Sequence, residues 1–200
     1  MKKIGIMGGT FDPIHLGHLL IAENAYEAFE LDEILFIPSG IPYMKKGVSD
    51  VIDRVNMTQI AIEDNPHFSL STIEADKASN SYTYETLKEL RRHNPENTYY
   101  YIVGADSLVN MCYWKEPSSI FEDAVILVAN RIGNESTELL KKIEEYKVNF
   151  NADIKILPIK QVDISSTDIR GKVRKGKSIR YLVPDNVIEY INEHKMFMEG

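Results

Sequence analysis

The chain has 200 residues, of which 44% are hydrophobic and 26% are charged, a composition that is ordinary for a globular protein. The formal net charge of −7 argues against a nucleic-acid-binding protein, since such proteins usually carry a basic surface. No run of about 18 apolar residues occurs, so we expect no membrane span. The single cysteine, Cys112, excludes an internal disulfide and fits a reducing, cytoplasmic location. We interpret it as a packing residue rather than as a nucleophile.

Short β-rich apolar runs alternate with longer helical stretches along the chain. The predicted strands cover residues 3–7, 33–38, 67–70, 98–103, 124–129 and 154–158. The predicted helices cover residues 16–29, 51–63, 83–92, 135–146, 166–174 and 185–194. This alternation predicts an α/β fold, with a mostly parallel sheet that is covered by helices on both faces. We expect one domain over residues 1–200, in which residues 158–200 form a small C-terminal helical subregion.

Unusual residues follow the ends of the predicted strands, in segments 8–18, 38–46, 104–106 and 161–170. Ligands of parallel α/β sheets bind outside the carboxyl ends of the strands. The sequence therefore predicts a ligand-binding cleft that these segments build together.

The first of these segments joins a predicted strand to a predicted helix. Gly8 and Gly9 allow the backbone to turn sharply and to approach a ligand closely. Asp12 is predicted to be the N-cap of the helix, with Pro13 as its first residue. A helix N-terminus in this place favours an anionic ligand, because its free amides and its dipole both attract negative charge.

Two histidines lie at the start of this predicted helix. His15 and His18 are three residues apart, which puts both rings on one face, and Gly17 keeps that face open between them. A single histidine on a helix is more often structural, but this pair beside Gly-Gly favours hydrogen bonds to a phosphate. A metal site is the weaker alternative, because no third ligand stands nearby, and we predict none.

A second phosphate-binding pattern opens the helix at residues 166–174. Ser165 followed by Asp168 resembles a capping box, with aspartate in the acidic position. Ser166, Thr167 and Arg170 then place hydroxyl, amide and guanidinium groups on one face, which suits a polyphosphate. Alone, this pattern fits phosphate binding and a plain capped helix equally well. Together with the first pattern, it favours phosphate binding.

Several segments together resemble a known family. Residues 9–18 resemble the G-x-F-x-P-x-H-x-G-H signature of the nucleotidyltransferase superfamily, and residues 164–170 resemble its I-S-S-T-x-I-R element. Residues 81–87 resemble the S-Y-T-x-x-T-L segment of the bacterial nicotinate-nucleotide adenylyltransferases. Residues 54–57, 101–108 and 181–184 also match that family, so the resemblance covers essentially the whole chain, in order.

The resemblance implies a Rossmann-like, doubly wound sheet and a specific reaction. ATP and nicotinate mononucleotide would give deamido-NAD and pyrophosphate, a step of NAD biosynthesis, by in-line attack of the acceptor phosphate on the α-phosphorus of ATP. Mg²⁺ would be carried with ATP, without a tightly bound organic cofactor and without a protein metal cage.

The resemblance also implies roles for individual residues. His15 and His18 would be catalytic. The residues implied in ATP binding are Gly8, Gly9, Thr10, Phe11, Gly104, Asp106, Ser166, Thr167 and Arg170. The residues implied in acceptor binding are Lys45, Thr83 and Trp114. The chain departs from the family at residues 42–46, where Met44 stands at the position of a frequent histidine.

Two alternatives stand beside this interpretation. A phosphopantetheine adenylyltransferase shares both phosphate patterns, but the greater length, residues 81–87 and Trp114 favour the nicotinate family. A nucleotide sensor on an inactive scaffold is disfavoured, since both histidines and Arg170 are present. The sequence leaves open the preference between nicotinate and nicotinamide mononucleotides, and whether the chain forms a homo-oligomer.

Overall fold

A computed structural model describes residues 1–41, 47–77, 79–131, 136–160 and 163–198. The strands within these ranges are β1 Lys3–Gly9, β2 Glu33–Pro38, β3 Phe68–Leu70, β4 Thr98–Gly104, β5 Val125–Arg131 and β6 Ile154–Ile159. The α-helices are α1 Leu16–Phe29, α2 Val51–Ile62, α3 Thr83–His93, α4 Ala105–Val109, α5 Pro117–Asp123, α6 Thr137–Phe150, α7 Ser166–Arg174 and α8 Asp185–Glu193. One turn of 3₁₀ helix, Met111–Tyr113, follows α4.

The six strands form one sheet in the order β3-β2-β1-β4-β5-β6, and neighbouring strands pair in parallel. Ile6 of β1 aligns with Leu35 of β2 on one side and with Tyr101 of β4 on the other. The order runs outward in both directions from β1 and β4, so a crevice forms where these two strands part. The predicted parallel sheet is confirmed.

Helices cover both faces of the sheet, because alternate strand side chains point to opposite sides. In β4, Tyr100 and Ile102 belong to a hydrophobic cluster shared with α1, α2, α7 and α8. Tyr99, Tyr101 and Val103 belong to a second cluster shared with α3, α4, α5 and α6. Burial on both faces explains why β4 is a nearly continuous run of apolar and aromatic residues.

The C-terminal segment packs into the first of these clusters. Val183, Val187 and Ile191 are buried there. The backbone N–H of Leu16 donates to the carbonyl of Leu182 at 2.9 Å, which ties the start of α1 to this segment. The predicted subregion begins inside β6, which ends at residue 159. That residues 1–200 form a single domain stays a prediction.

Most predicted elements agree with the structure within a few residues. Serine caps define two helix starts: the hydroxyl oxygens of Ser136 and Ser165 accept the N–H groups of Leu139 and Asp168, each at 3.1 Å. Helices α4 and α5 were not predicted, because five and seven residues are too few to show a helical period. No helix in the described ranges is long and apolar enough to cross a membrane.

Candidate active site

A cleft of about 760 Å³ opens at the carboxyl ends of β1 and β4, where the strand order reverses. This volume lies in the usual range of small-molecule sites, about 300–1,000 Å³. Segments 8–18, 104–106 and 161–170 each contribute to it, as predicted. Of the predicted segment 38–46, residues 38–41 are not among the lining residues, and residues 42–46 lie outside the described residues, as do residues 161 and 162. The described lining residues are Met7, Gly8, Gly9, Thr10, Phe11, Asp12, His15, His18, Ile21, Gly47, Val48, Tyr101, Ile102, Val103, Gly104, Ser107, Trp114, Ala129, Ile164, Ser165, Ser166, Thr167 and Arg170.

The two histidines lie side by side at the start of α1. His15 is the N-cap and His18 is the third helical residue, and their rings stack with centroids 3.7 Å apart and planes inclined by 20°. The backbone N–H of His15 donates to Nδ1 of His18 at 3.3 Å. Because Nδ1 accepts this bond, the proton of a neutral His18 ring lies on Nε2.

Burial makes His15 a neutral imidazole at physiological pH. The side chain is buried, and this burial lowers the pKa of His15 to about 4, against a smaller opposing effect of a backbone hydrogen bond. Its ring lies against Gly17, where a Cβ atom would stand only 3.0 Å from Nδ1 of His15. The expectation that Gly17 keeps this face open agrees with the geometry.

The start of α7 docks onto the loop between β1 and α1, although more than 150 residues separate them in sequence. The hydroxyl of Ser166 donates to the carbonyl of Pro13 at 2.9 Å. The Arg170 guanidinium donates to the carbonyl of Asp12 at 2.6 Å and to the hydroxyl of Thr167 at 3.4 Å. These contacts bring both predicted phosphate patterns to the same cleft.

Comparison with known proteins agrees with this geometry. The cytidylyltransferase-like family matches residues 6–172. A probable nicotinate-nucleotide adenylyltransferase of Lachnoclostridium phytofermentans is 42% identical over 201 residues, which cover 99% of this chain and 100% of that protein. Another, of Clostridium perfringens, is 41% identical over 199 residues, which cover 98% of each. The chain belongs to the nicotinate-nucleotide adenylyltransferase family.

Solved structures of another protein share the fold of this chain. The nicotinic acid mononucleotide adenylyltransferase of Plasmodium falciparum, complexed with NaAD, superposes with a TM-score of 0.82 at 22% identity over 98% of both chains. The same protein complexed with APC gives a TM-score of 0.79, again at 22% identity and over 98% of each chain. At this identity the likeness establishes the Rossmann-like fold that was expected from the sequence.

One local prediction in the family signature is wrong, since Asp12 does not cap α1 and Pro13 is not its first residue. His15 occupies the N-cap position instead, with an extended backbone at φ −148° and ψ 166°. The buried Asp12 carboxylate lies 3.8 Å from the Arg170 guanidinium and accepts the N–H of Ser49 at 3.4 Å. Tertiary partners therefore engage the side chain that the local pattern assigned to the helix start.

Arg54 in α2 connects the loops that surround the cleft, and its role was missed from the sequence. Its side chain is only 1% exposed, and burial lowers the pKa of its guanidinium, although arginine remains protonated in proteins. The guanidinium donates to the carbonyls of Thr10 at 2.8 Å, Ser39 at 2.6 Å, Gly40 at 2.7 Å and Ser49 at 3.1 Å. One side chain thus joins the β1–α1 loop to both ends of the connection between β2 and α2.

Aromatic side chains form the other end of the cleft. Trp114 lines it and meets the ring of Tyr101 edge-on, with centroids 6.3 Å apart and planes inclined by 86°. The hydroxyl oxygens of Tyr101 and Thr83 lie 3.4 Å apart, so Thr83 joins this end through Tyr101 rather than as a lining residue. Tyr101 was not predicted as a site residue, because it lies within a strand of three consecutive tyrosines.

The remaining residues implied by the family are less centrally placed. Gly104 lines the cleft, but Asp106 lies exposed in the first turn of α4, and Ser107 lines the cleft beside it. Lys45 and Met44 lie outside the described residues.

Proposed function

We propose that this chain transfers AMP from ATP to nicotinate mononucleotide. An oxygen of the acceptor phosphate forms a bond to the α-phosphorus of ATP. The bond from that phosphorus to the oxygen bridging toward the β-phosphate breaks, and pyrophosphate leaves with the electron pair. The observation that carries the proposal is one cleft that joins the histidine pair, the start of α7 and an aromatic end.

The histidine pair and the start of α7 are proposed to hold the triphosphate between them. His18 offers a donor from Nε2, and the neutral His15 adds a hydrogen bond rather than a charge. Among the described lining residues, Arg170 is the sole lysine or arginine, and its bonds to Asp12 and Thr167 fix it beside the early amides of α7. Donors placed before the reaction stabilise the charge that develops on the phosphorus without reorganisation.

The backbone near the ends of β1 and β4 is proposed to hold the rest of the ATP molecule. Gly8, Gly9, Thr10 and Phe11 form the floor of the cleft, close to the histidine pair. A Cβ atom at Gly9 would stand 2.8 Å from the Phe11 ring, so glycine is needed for this floor to pack. We assign Gly104, together with Asp106, to the adenosine ribose.

The aromatic end is proposed to receive nicotinate mononucleotide. The indole of Trp114 can stack on the pyridine ring, since a flat aromatic surface gives a large contact area. Thr83, held next to Tyr101, is proposed to contact the acceptor beside it, and Lys45 to reach its phosphate. The acceptor phosphate is then proposed to lie between Trp114 and the histidine pair.

Magnesium is proposed to enter as part of the MgATP substrate. Phosphate oxygens and water suffice as ligands for this ion, which rarely requires a dedicated protein cage. Of the described lining residues, Asp12 is the sole carboxylate, and it already faces Arg170 and the N–H of Ser49. When bound, the ion neutralises charge on the leaving pyrophosphate.

Product analysis tests the reaction directly. The chain is incubated with ATP, Mg²⁺ and, separately, nicotinate mononucleotide, nicotinamide mononucleotide or phosphopantetheine. We expect deamido-NAD and pyrophosphate in equal amounts as the dominant products. Turnover of phosphopantetheine alone would refute the acceptor assignment, and ATP binding without any turnover would favour a nucleotide sensor.

A further inference from the structure

A second pocket lies beside the cleft, on another side of α7. Its volume is about 440 Å³, within the usual range of small-molecule sites, about 300–1,000 Å³. Ser165 and Thr167 line both spaces, so the pocket borders the cleft at the start of α7. Ser166 and Arg170 line only the cleft, whereas Lys172 lines only the pocket. The pocket is therefore a separate space with its own lining residues.

Three lysines converge on this pocket, Lys172, Lys175 and Lys177. The first two are three residues apart at the C-terminal end of α7, which puts them on one side of the chain. Gly176 then has a left-handed backbone at φ 61°, and the backbone N–H of Lys177 donates to the carbonyl of Lys172 at 2.9 Å. This turn, which is common at helix ends, brings the third lysine back beside the first.

Positive charge is concentrated in this part of the chain. Residues 170–180 hold six of the 23 lysines and arginines and contain no aspartate or glutamate, although the formal net charge of the chain is −7. No carboxylate of the described residues lies within 4.0 Å of the ammonium groups of Lys172, Lys175 and Lys177. Among the described residues that line the pocket, Asp168 is the one carboxylate, so it offsets one of the three charges. The pocket thus keeps a net positive charge, in a protein whose overall field does not favour anions.

The lining of the pocket suits a small polyphosphate. Three ammonium groups from separate positions can each bind a different oxygen of one multiply charged anion, whereas a single carboxylate has only two oxygens to offer. The hydroxyls of Ser165 and Thr167 add further donors at the border with the cleft. Gly171 keeps the space open, since no atom from the rest of the protein stands within 4 Å of the place where its Cβ would lie. A pocket of this size fits a compact anion rather than an extended nucleic acid.

We propose that this pocket is a second anion-binding site, which takes a small polyphosphate such as inorganic pyrophosphate while ATP occupies the cleft. Lys172, Lys175 and Lys177 bind the oxygens of this anion. The site is separate from the triphosphate site of the proposed function, because that site uses Ser166 and Arg170 on another side of α7. Pyrophosphate is also the product of the proposed AMP transfer, but its binding here requires neither that reaction nor an acceptor.

The test counts the pyrophosphate bound to the full chain while a non-hydrolysable ATP analogue and Mg²⁺ fill the cleft. Equilibrium dialysis with both ligands labelled shows whether pyrophosphate adds to the analogue or displaces it. We expect one further pyrophosphate per chain. The double variant Lys172→Gln, Lys175→Gln should weaken pyrophosphate binding about tenfold, the effect of two unit charges across solvent, and should bind the analogue as the wild type does.

A second variant and a matched control accompany the lysine variant. Gly171→Glu brings a carboxylate to the pocket, and it should fold because its side chain meets open space and glycine is a poor helix former. We expect it to weaken pyrophosphate binding by a similar factor. The control replaces two exposed lysines outside residues 170–180, Lys141 and Lys195, with glutamine. It changes the net charge as much as the lysine variant does and should leave pyrophosphate binding unchanged.

Three results would overturn the proposal. Displacement of the analogue by pyrophosphate, or no binding while the analogue is present, would show that the anion enters only the cleft. An unchanged affinity in both pocket variants would show that the lysines do not bind it. Equal weakening in the control would assign the effect to general surface charge. The proposed AMP transfer would survive all three, since product analysis of the wild type tests it separately.

Discussion

Replacing Arg54 with methionine removes the guanidinium that joins the loops around the cleft, while it keeps most of the apolar stem. Four hydrogen bonds disappear, those to the carbonyls of Thr10, Ser39, Gly40 and Ser49. The side chain is 1% exposed, so solvent cannot replace them without rearrangement of the loops. The variant therefore tests whether this one residue holds the cleft together.

The expected magnitude follows from the burial and the number of bonds. A buried acceptor left without a donor costs about 1–3 kcal/mol. Part of this loss is offset, because the variant no longer dehydrates a charged group on folding. We expect the free energy of unfolding to fall by about 3–5 kcal/mol in total, as for the breaking of other buried charged networks. For a chain of this length, the melting temperature should fall by about 10 °C.

Urea unfolding and thermal melts, followed by circular dichroism, measure this loss. Arg91→Met is the matched control, since Arg91 lies 3.7 Å from Asp123 with 44% of its side chain exposed. An ion pair at such a site contributes less than about 1 kcal/mol. If Arg54→Met unfolds within about 1 kcal/mol of the control, the four bonds do not hold the loops in place and the reasoning is refuted.

Three further predictions concern single side chains. His18→Ala should lower kcat by about 100-fold with little change in thermal stability. The control His93→Ala, on α3, should keep the wild-type rate. A wild-type rate in His18→Ala would show that His18 is not catalytic. Because burial lowers the pKa of His15 to about 4 from its usual 6.5, the unfolded chain gains a proton between these pH values that the folded chain does not bind. Stability should therefore fall by about 2 kcal/mol between pH 7 and pH 5, and urea titrations of His15→Asn should lack that component. Tyr146→Phe removes a buried hydroxyl that accepts the N–H of Cys112 at 3.0 Å and donates to the carbonyl of Leu108 at 3.1 Å, both shortly before Trp114 in the chain. This variant should raise the KM for the acceptor with little change in the KM for ATP. Equal changes in both KM values would contradict a positioning role.

Much of the fold was predictable because its signals are local. Helices α1 and α7 have the predicted bounds, since apolar periodicity and a serine cap act within a few residues. That the rings of His15 and His18 lie on one side was predicted from their spacing of three, whereas their stacking was not predicted. Family membership also followed from sequence alone, through motifs that extend over the whole chain.

Long-range contacts were not predictable in this way. Arg54 lies one helical turn before the buried Met57, and this shared face was the available signal that its guanidinium points inward. Nothing in the spacing of α2, however, indicates which carbonyl groups it binds. The local pattern at Asp12 even favoured a wrong cap, because Arg170, 158 residues further along the chain, engages it instead.

The sequence by itself determined the alternation of strands and helices and the family, and it predicted the two phosphate-binding patterns. Only the tertiary structure decided that Arg170 and Ser166 bond to the loop between β1 and α1, and that Tyr101 joins Thr83 to Trp114. The physical reason is that periodicity and capping depend on neighbours within one or two turns. Contacts between side chains of different strand ends depend instead on strand order and register, which the whole chain sets together.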